Sequence, residues 1–322
     1  KHFDGKKELT IWRTIKICEG IGPEPKLSVQ IEDKWVEFPF PDCPLPNKIR
    51  FNDLWITYID PSVITFLRSN KHIWDKSGTK LLVQIISDQN VIKPIWDVFT
   101  SEIWPIFATN VLHLGIDDAA HLANLRRLIS PTILTDLDQL NSICSYELFP
   151  DAIGDDGPNA TAGQILSKWL HTPSKNGQPK RLVCADYGDE VNLDWVTSFK
   201  EAFVRATTSI SYKIDFEVPK TAIEPFELVN ERTKEKLTLL ALEEDVKEDS
   251  DADYINWLLK RCPISEKAAV IKWENDENWD HNLNIVQFNL WGGKSSTGPY
   301  GHQRTKKKKR VKASKRRLIA RK

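Results

Sequence analysis

Two histidines, His113 and His121, flank the pair Asp117-Asp118, a grouping able to hold a metal or to move protons. His113, however, falls inside the apolar run Val111-Leu112-His113-Leu114-Gly115-Ile116. The reading with more weight is therefore an outward-facing strand residue. Asp249, Asp251 and Asp253 have the spacing that opens a calcium loop, but Tyr254 and Lys260 stand where that loop needs its glycine and its bidentate Glu. Gly292-Gly293-Lys294-Ser295 resembles the end of a phosphate loop, yet Phe288 occupies the place of the first glycine. The chain then continues through Gly298, Pro299 and Gly301 instead of a helix. No G-x-S-x-G or H-E-x-x-H is present. These residues assign no catalytic group, no metal ligand set and no cofactor. The expectation is a non-enzymatic protein.

The sharpest short signal is basic. Arg304 to Lys322 contains twelve Lys or Arg and no acid, including Lys306, Lys307, Lys308, Lys309, Arg310, Lys315, Arg316 and Arg317. Such runs serve nuclear import or seek phosphates on nucleic acid. With no aromatic residue to stack on bases, this segment favours import over specific single-strand recognition. The formal charge of the whole chain is zero, so the other residues carry a net charge of −12. An acidic body bears a basic tail.

Aromatic residues make up 10% of the chain, with 12 Trp, which requires a packed body. The five cysteines (Cys18, Cys43, Cys144, Cys184, Cys262) are odd in number and contain no C-x-x-C, so neither a disulfide framework nor a zinc cluster is expected. No apolar run approaches the roughly twenty residues that span a bilayer. The expectation is a nuclear or cytoplasmic protein without a membrane partner. The sequence holds no Met, even at position 1, so the true start is expected upstream.

The elements that must position these residues follow from periodicity. Leu9 to Ile17, Leu27 to Ile31 and Trp35 to Phe38 alternate as a small antiparallel meander, closed by the Pro-rich run Phe38 to Pro46. Extended runs then start at Leu54, Leu81, Val111, Asn141, Arg181 and Ser209, with spacings of 27, 30, 30, 40 and 28 residues. Helical segments lie between them, the first opened by Asp60-Pro61-Ser62. Strands separated by single helices should pair in parallel, and a period near thirty argues for a solenoid. The expected fold is α/β, a leucine-rich-repeat-like strand–helix array with β-rich caps. Residues 1–46 read as meander and connector, 47–218 as the array, 219–291 as a C-terminal β-rich cap, and 292–322 as linker and basic tail. Within the cap, Glu243 to Asp253 carries seven acids and reads as a solvated loop.

Several blocks together resemble the expanded F-box protein family of plant-parasitic cyst nematodes. They are Trp55 to Leu67, Ser130-Pro131-Thr132-Ile133-Leu134, Lys168 to Pro173, Pro225 to Asn230, Lys236 to Leu239 and Trp257 to Ile264. In that family an N-terminal F-box docks on the Skp-type adaptor of a cullin ubiquitin ligase, and the downstream region holds the substrate. The present residues open on strand-like Leu9 to Ile17 and hold no F-box. The resemblance thus implies the substrate-side half, with Skp-type adaptor and cullin as partners only through an upstream F-box. The function expected is protein recognition on the strand face of the array, through His113, Ser142, Cys144, Asp186 and Tyr187. The alternative is a nuclear nucleic-acid or chromatin-associated protein acting through its basic tail.

Overall fold

The computed structural model describes residues 10–20, 24–31, 34–45, 49–74, 79–87, 95–146, 148–175, 177–185, 193–242, 254–264 and 284–292. The expected meander forms as β1 (Thr10–Glu19), β2 (Pro25–Ile31) and β3 (Lys34–Pro39), paired antiparallel in chain order. β4 (Ile49–Ile56) then lies parallel to β1.

Strand–helix alternation follows. Asp60 caps α1 (Pro61–Ser69) by accepting from the Val63 amide at 2.8 Å, with Pro61 at the first helical position where its missing N–H costs nothing. A short α2 (Lys71–Trp74) leads to β5 (Thr79–Ser87). The next crossover is broken into a π turn (Phe99–Ile103) and α3 (Trp104–Phe107). After β6 (Val111–Ile116), Asp118 caps α4 (Ala119–Leu128) through the His121 amide at 2.8 Å, and Pro131 forces a restart as α5 (Ile133–Asp136). β7 (Ser142–Tyr146) precedes α6 (Ala162–His171), which opens on a capping box between Thr161 and Gln164. β8 (Lys180–Ala185), α7 (Asp194–Arg205) and β9 (Tyr212–Pro219) complete the series. β9 begins three residues after the expected Ser209 because Ser209 Oγ and the Ile210 amide are taken by the buried Glu235 carboxylate, at 2.9 and 2.8 Å. β10 (Phe226–Asn230), β11 (Glu235–Leu242) and β12 (Tyr254–Pro263) pair antiparallel, and β12 returns antiparallel onto β9.

The expected solenoid does not form. β13 (Asn284–Gly292), the last described strand in the chain, inserts between β4 and β5 and pairs in parallel with both. β1–β4 and β5–β12 are blocks of four and eight strands, and β13 joins them into one mixed sheet with order β10-β11-β12-β9-β8-β7-β6-β5-β13-β4-β1-β2-β3. In a solenoid each unit touches only its sequence neighbours. Here residues 284–292 separate two consecutive strands, which period alone does not reveal. β13 lies away from β10–β12 in the strand order.

Registers align one apolar residue from every strand. From edge to edge the row reads Val36, Val29, Ile15, Leu54, Val286, Leu81, Leu114, Ile143, Leu182, Ile214, Leu259, Leu239 and Phe226. All but the two edge residues are fully buried, and each such side chain contributes about 1.5–3 kcal/mol on leaving water. Rings from the crossovers cover this face: Phe99 and Phe107 meet Phe288 at 5.3 and 6.0 Å, Trp195 meets Phe216 at 5.2 Å, and Phe199 meets Tyr212 at 6.0 Å. Right-handed crossovers that always step in one direction along a sheet place their helices on one side.

Candidate functional site

Successive strand side chains point to opposite faces, so the residue beside each member of the apolar row faces away from the helices. On β5 to β11 these residues are Lys80, His113, Ser142, Arg181, Lys213, Lys260 and Thr238, each paired in register with the next. Two positions further along lies a second row: Leu82, Gly115, Cys144, Val183, Asp215, Leu258 and Leu240. The open face thus carries a cationic row beside a largely apolar one. Gly115 is required there, because the Leu82 side chain occupies the space a Cβ would need.

Arg181, Lys213 and Lys260 occupy adjacent strands in direct register, about 4.8 Å apart. Like charges so placed repel. Asp215 answers part of this charge, accepting from Arg181 Nε at 2.8 Å, and Glu227 lies 3.6 Å from Lys236 on the same face. Described charges on this face from β5 to β11 are Lys80, Arg181, Lys213, Lys236 and Lys260 against Asp215, Glu217 and Glu227. Among the described residues of these strands, bases on this face outnumber acids.

Of the residues expected to bind a partner, His113 and Ser142 are direct cross-strand neighbours in the cationic row, and Cys144 lies in the row beside it. His113 and Ser142 are nonetheless 5% and 4% exposed, so the accessible part of the face lies toward Arg181, Lys213 and Lys260. Asp186 and Tyr187 fall outside the described residues, as do the basic tail with Lys306, Lys307, Lys308, Lys309, Arg310, Lys315, Arg316 and Arg317, the acidic run 243–253 and Lys294. The two histidines of the possible metal cluster separate. His113 faces away from the helices, while His121 is buried on α4, 6.0 Å from the Trp96 ring and 4.0 Å from Asp117. Among the described residues no group of three His, Cys, Asp or Glu side chains is placed to hold a metal.

Sequence reading missed Lys80, Arg181, Lys213, Lys260 and Asp215. A signal for three of them was present. Lys80, Arg181 and Lys213 each precede the central apolar residue of their strand, as His113 precedes Leu114 and Ser142 precedes Ile143. Lys260 follows Leu259 instead, because β12 runs antiparallel.

The helix-covered face holds a second concentration of charge. Glu235 and Arg261 are 0% and 2% exposed, 2.7 Å apart, and fully satisfied: Arg261 also donates to the Thr208 carbonyl at 2.8 Å and lies over the Phe203 ring. Next to them, Lys180 Nζ donates to the Trp169 and Thr172 carbonyls, closing the C-terminus of α6. Burial lowers the Lys180 pKa to about 8. Burial also lowers the His171 pKa and raises that of the Tyr212 phenol, whose ring His171 meets edge-on at 5.5 Å. Carbonyls and the paired carboxylate take the Lys180 and Arg261 donors, so the cluster ties helix ends to strands, while the buried Tyr212 hydroxyl has no hydrogen-bond partner among the described residues.

No family model, curated protein or solved structure matches this chain. No described helix is long and apolar enough to cross a membrane.

Proposed function

We propose that this chain is a non-enzymatic protein-recognition module that receives its partner on the open face of the sheet. The observation that carries this reading is the division of the two faces: aromatic rings from the crossovers cover the apolar row, while the cationic row Arg181-Lys213-Lys260 lies on the opposite side. A rigid sheet presenting side chains at fixed spacing suits recognition of a protein surface. Following its resemblance to the cyst-nematode F-box family, the module serves as the substrate-holding part of a cullin ligase adaptor in the nucleus or cytoplasm. Contact with a Skp-type adaptor then depends on an upstream F-box.

A photo-reactive amino acid placed at Leu240, 47% exposed on the open face, or at Val204, 59% exposed on α7, tests the assignment. A partner protein that crosslinks from position 240 in cells, fails to crosslink from position 204, and binds the purified chain supports it. Crosslinks arising only from position 204 overturn it, as does a crosslink from position 240 to nucleic acid and to no protein.

A further inference from the structure

We propose that this chain pairs with a second copy of itself along the outer edge of β3, with Val36 on the twofold axis. Among the described residues β3 ends the strand order on one side of the sheet and β10 on the other. The two edges differ. At β10, Lys200 lies over the Phe226 ring at 3.8 Å, and Asn230 donates to the Phe203 and Ala206 carbonyls at the end of α7, so one face of that edge is already covered. Along β3, Lys34, Trp35, Val36, Glu37 and Pro39 are all exposed, whichever face they take. Trp35 is 45% and Val36 38% exposed, and Ile31, in register with Lys34, is 43% exposed. Trp35 lies on the open face and the other two on the opposite one. An added strand covers both faces at once and takes up the backbone groups that an edge leaves unpaired. A helix or loop laid over one face does neither.

The residues of β3 decide how two copies can meet. A twofold perpendicular to the sheet sets residues of the same face opposite each other, so the axis passes through a residue. Centred on Glu37, the pairing opposes two carboxylates, which repel, and sets Pro39 against Trp35. Centred on Trp35, it exhausts β3 after Lys34 and Val36. Centred on Val36, it pairs Lys34 with Phe38 and Trp35 with Glu37, and opposes no like charges. Val36 then meets Val36 of the second copy, and the Lys34 stem lies between Ile31 and the Phe38 ring of the second copy. The two Trp35 side chains become diagonal neighbours about 7–8 Å apart. Glu37 tolerates an indole beside it because Lys26 pairs with it at 2.6 Å. Each strand thus supplies what its copy lacks, and an isologous contact closes as a dimer. The same axis turns both open faces to one side.

Five strand residues on each side make a small interface, so the dimer is expected to form in the range of about 1–100 μM. Sedimentation equilibrium of the full chain follows it at low salt and at about 1 M salt, which screens association between the acidic body and the basic tail. We expect a dimer whose Kd changes little with salt. V36K, which sets like charges opposite each other, should weaken it by about tenfold or more, and V229K on the β10 edge should leave it unchanged. Unaltered melting of V36K separates lost pairing from unfolding. V36C adds a gain of signal, tested in a C43S background because Cys43 is exposed. Mild oxidation should link two copies of V36C, since facing residues lie about 4.5–5.5 Å apart, within disulfide reach, while V229C stays unlinked. A chain that remains monomeric at about 100 μM, a dimer that dissociates in high salt, or one indifferent to V36K overturns the proposal. So does a dimer whose V36C form does not link to itself, or a V36C chain that links in cells to other proteins and never to its own copy.

Discussion

Asp215 accepts a hydrogen bond from Arg181 across the β8–β9 pair, while Lys213, one turn of the pleat away, pairs in register with Arg181 itself. Asp215 thus sits beside a line of three cations on adjacent strands. Replacing it by Asp215→Asn removes an ion pair whose side chains are 30% and 23% exposed, so the expected stability loss is about 0.5–1 kcal/mol, measured by urea unfolding. The same change makes the open face more positive. The stability loss should shrink at high salt, where a partly exposed pair is screened, and a loss that does not change with salt would contradict the pairing.

Glu235 and Arg261 are out of reach of water, and removing one strands the other. Glu235→Ala is expected to destabilise by about 3–5 kcal/mol. It also strips the Ser209 hydroxyl and the Ile210 amide of their acceptor. The double replacement Glu235→Leu with Arg261→Met should recover most of that loss, since no buried charge is then left unpaired. Chemical unfolding of the three variants decides it; equal loss in the single and double variants would contradict the pairing.

Lys180 makes stability depend on alkaline pH. Folded, it releases its proton near pH 8 because burial disfavours the ammonium, whereas an unfolded lysine keeps its proton to about 10.4. Between those values the unfolded state binds more protons, so stability rises with pH. Relative to Lys180→Met, the wild type should therefore gain about 1–3 kcal/mol from pH 8 to pH 10. Below pH 8 both states are protonated and the difference should be flat. Unfolding curves at a series of pH values test the sign, and a wild-type advantage that declines above pH 8 would contradict it.

Phe288 ties the two blocks of the sheet. It is fully buried against Phe99 and Phe107, and its strand bonds to β4 on one side and β5 on the other. Phe288→Ala is expected to cost about 3–5 kcal/mol. Hydrogen exchange should accelerate in both β4 and β5, although they lie more than two hundred residues earlier in the chain. An effect confined to β13 itself would indicate an end strand, as a linear array would have.

Much of the local structure was legible. Asp60 before Pro61 announced α1, Pro131 announced the break between α4 and α5, and the alternation of Ile15, Ile17, Leu27 and Val29 announced a meander with one buried face. Each signal lies within a few residues, because helix caps and strand alternation are set by neighbours along the backbone. His113 and Ser142 were placed on the strand face by the same alternation, and the register sets them side by side.

The sequence by itself determined which residues form strands and helices, and that Lys80, Arg181 and Lys213 take the same place in their repeats. Tertiary structure alone decided that β13 enters between β4 and β5, that the array is therefore one open mixed sheet, and that Lys260 joins the cationic row from a strand running the other way. The reason is physical. A strand's side-chain period is fixed by its own backbone, but its neighbours are fixed by hydrogen bonds and buried surface between segments far apart in the chain, as where Val286 lies between Leu54 and Leu81.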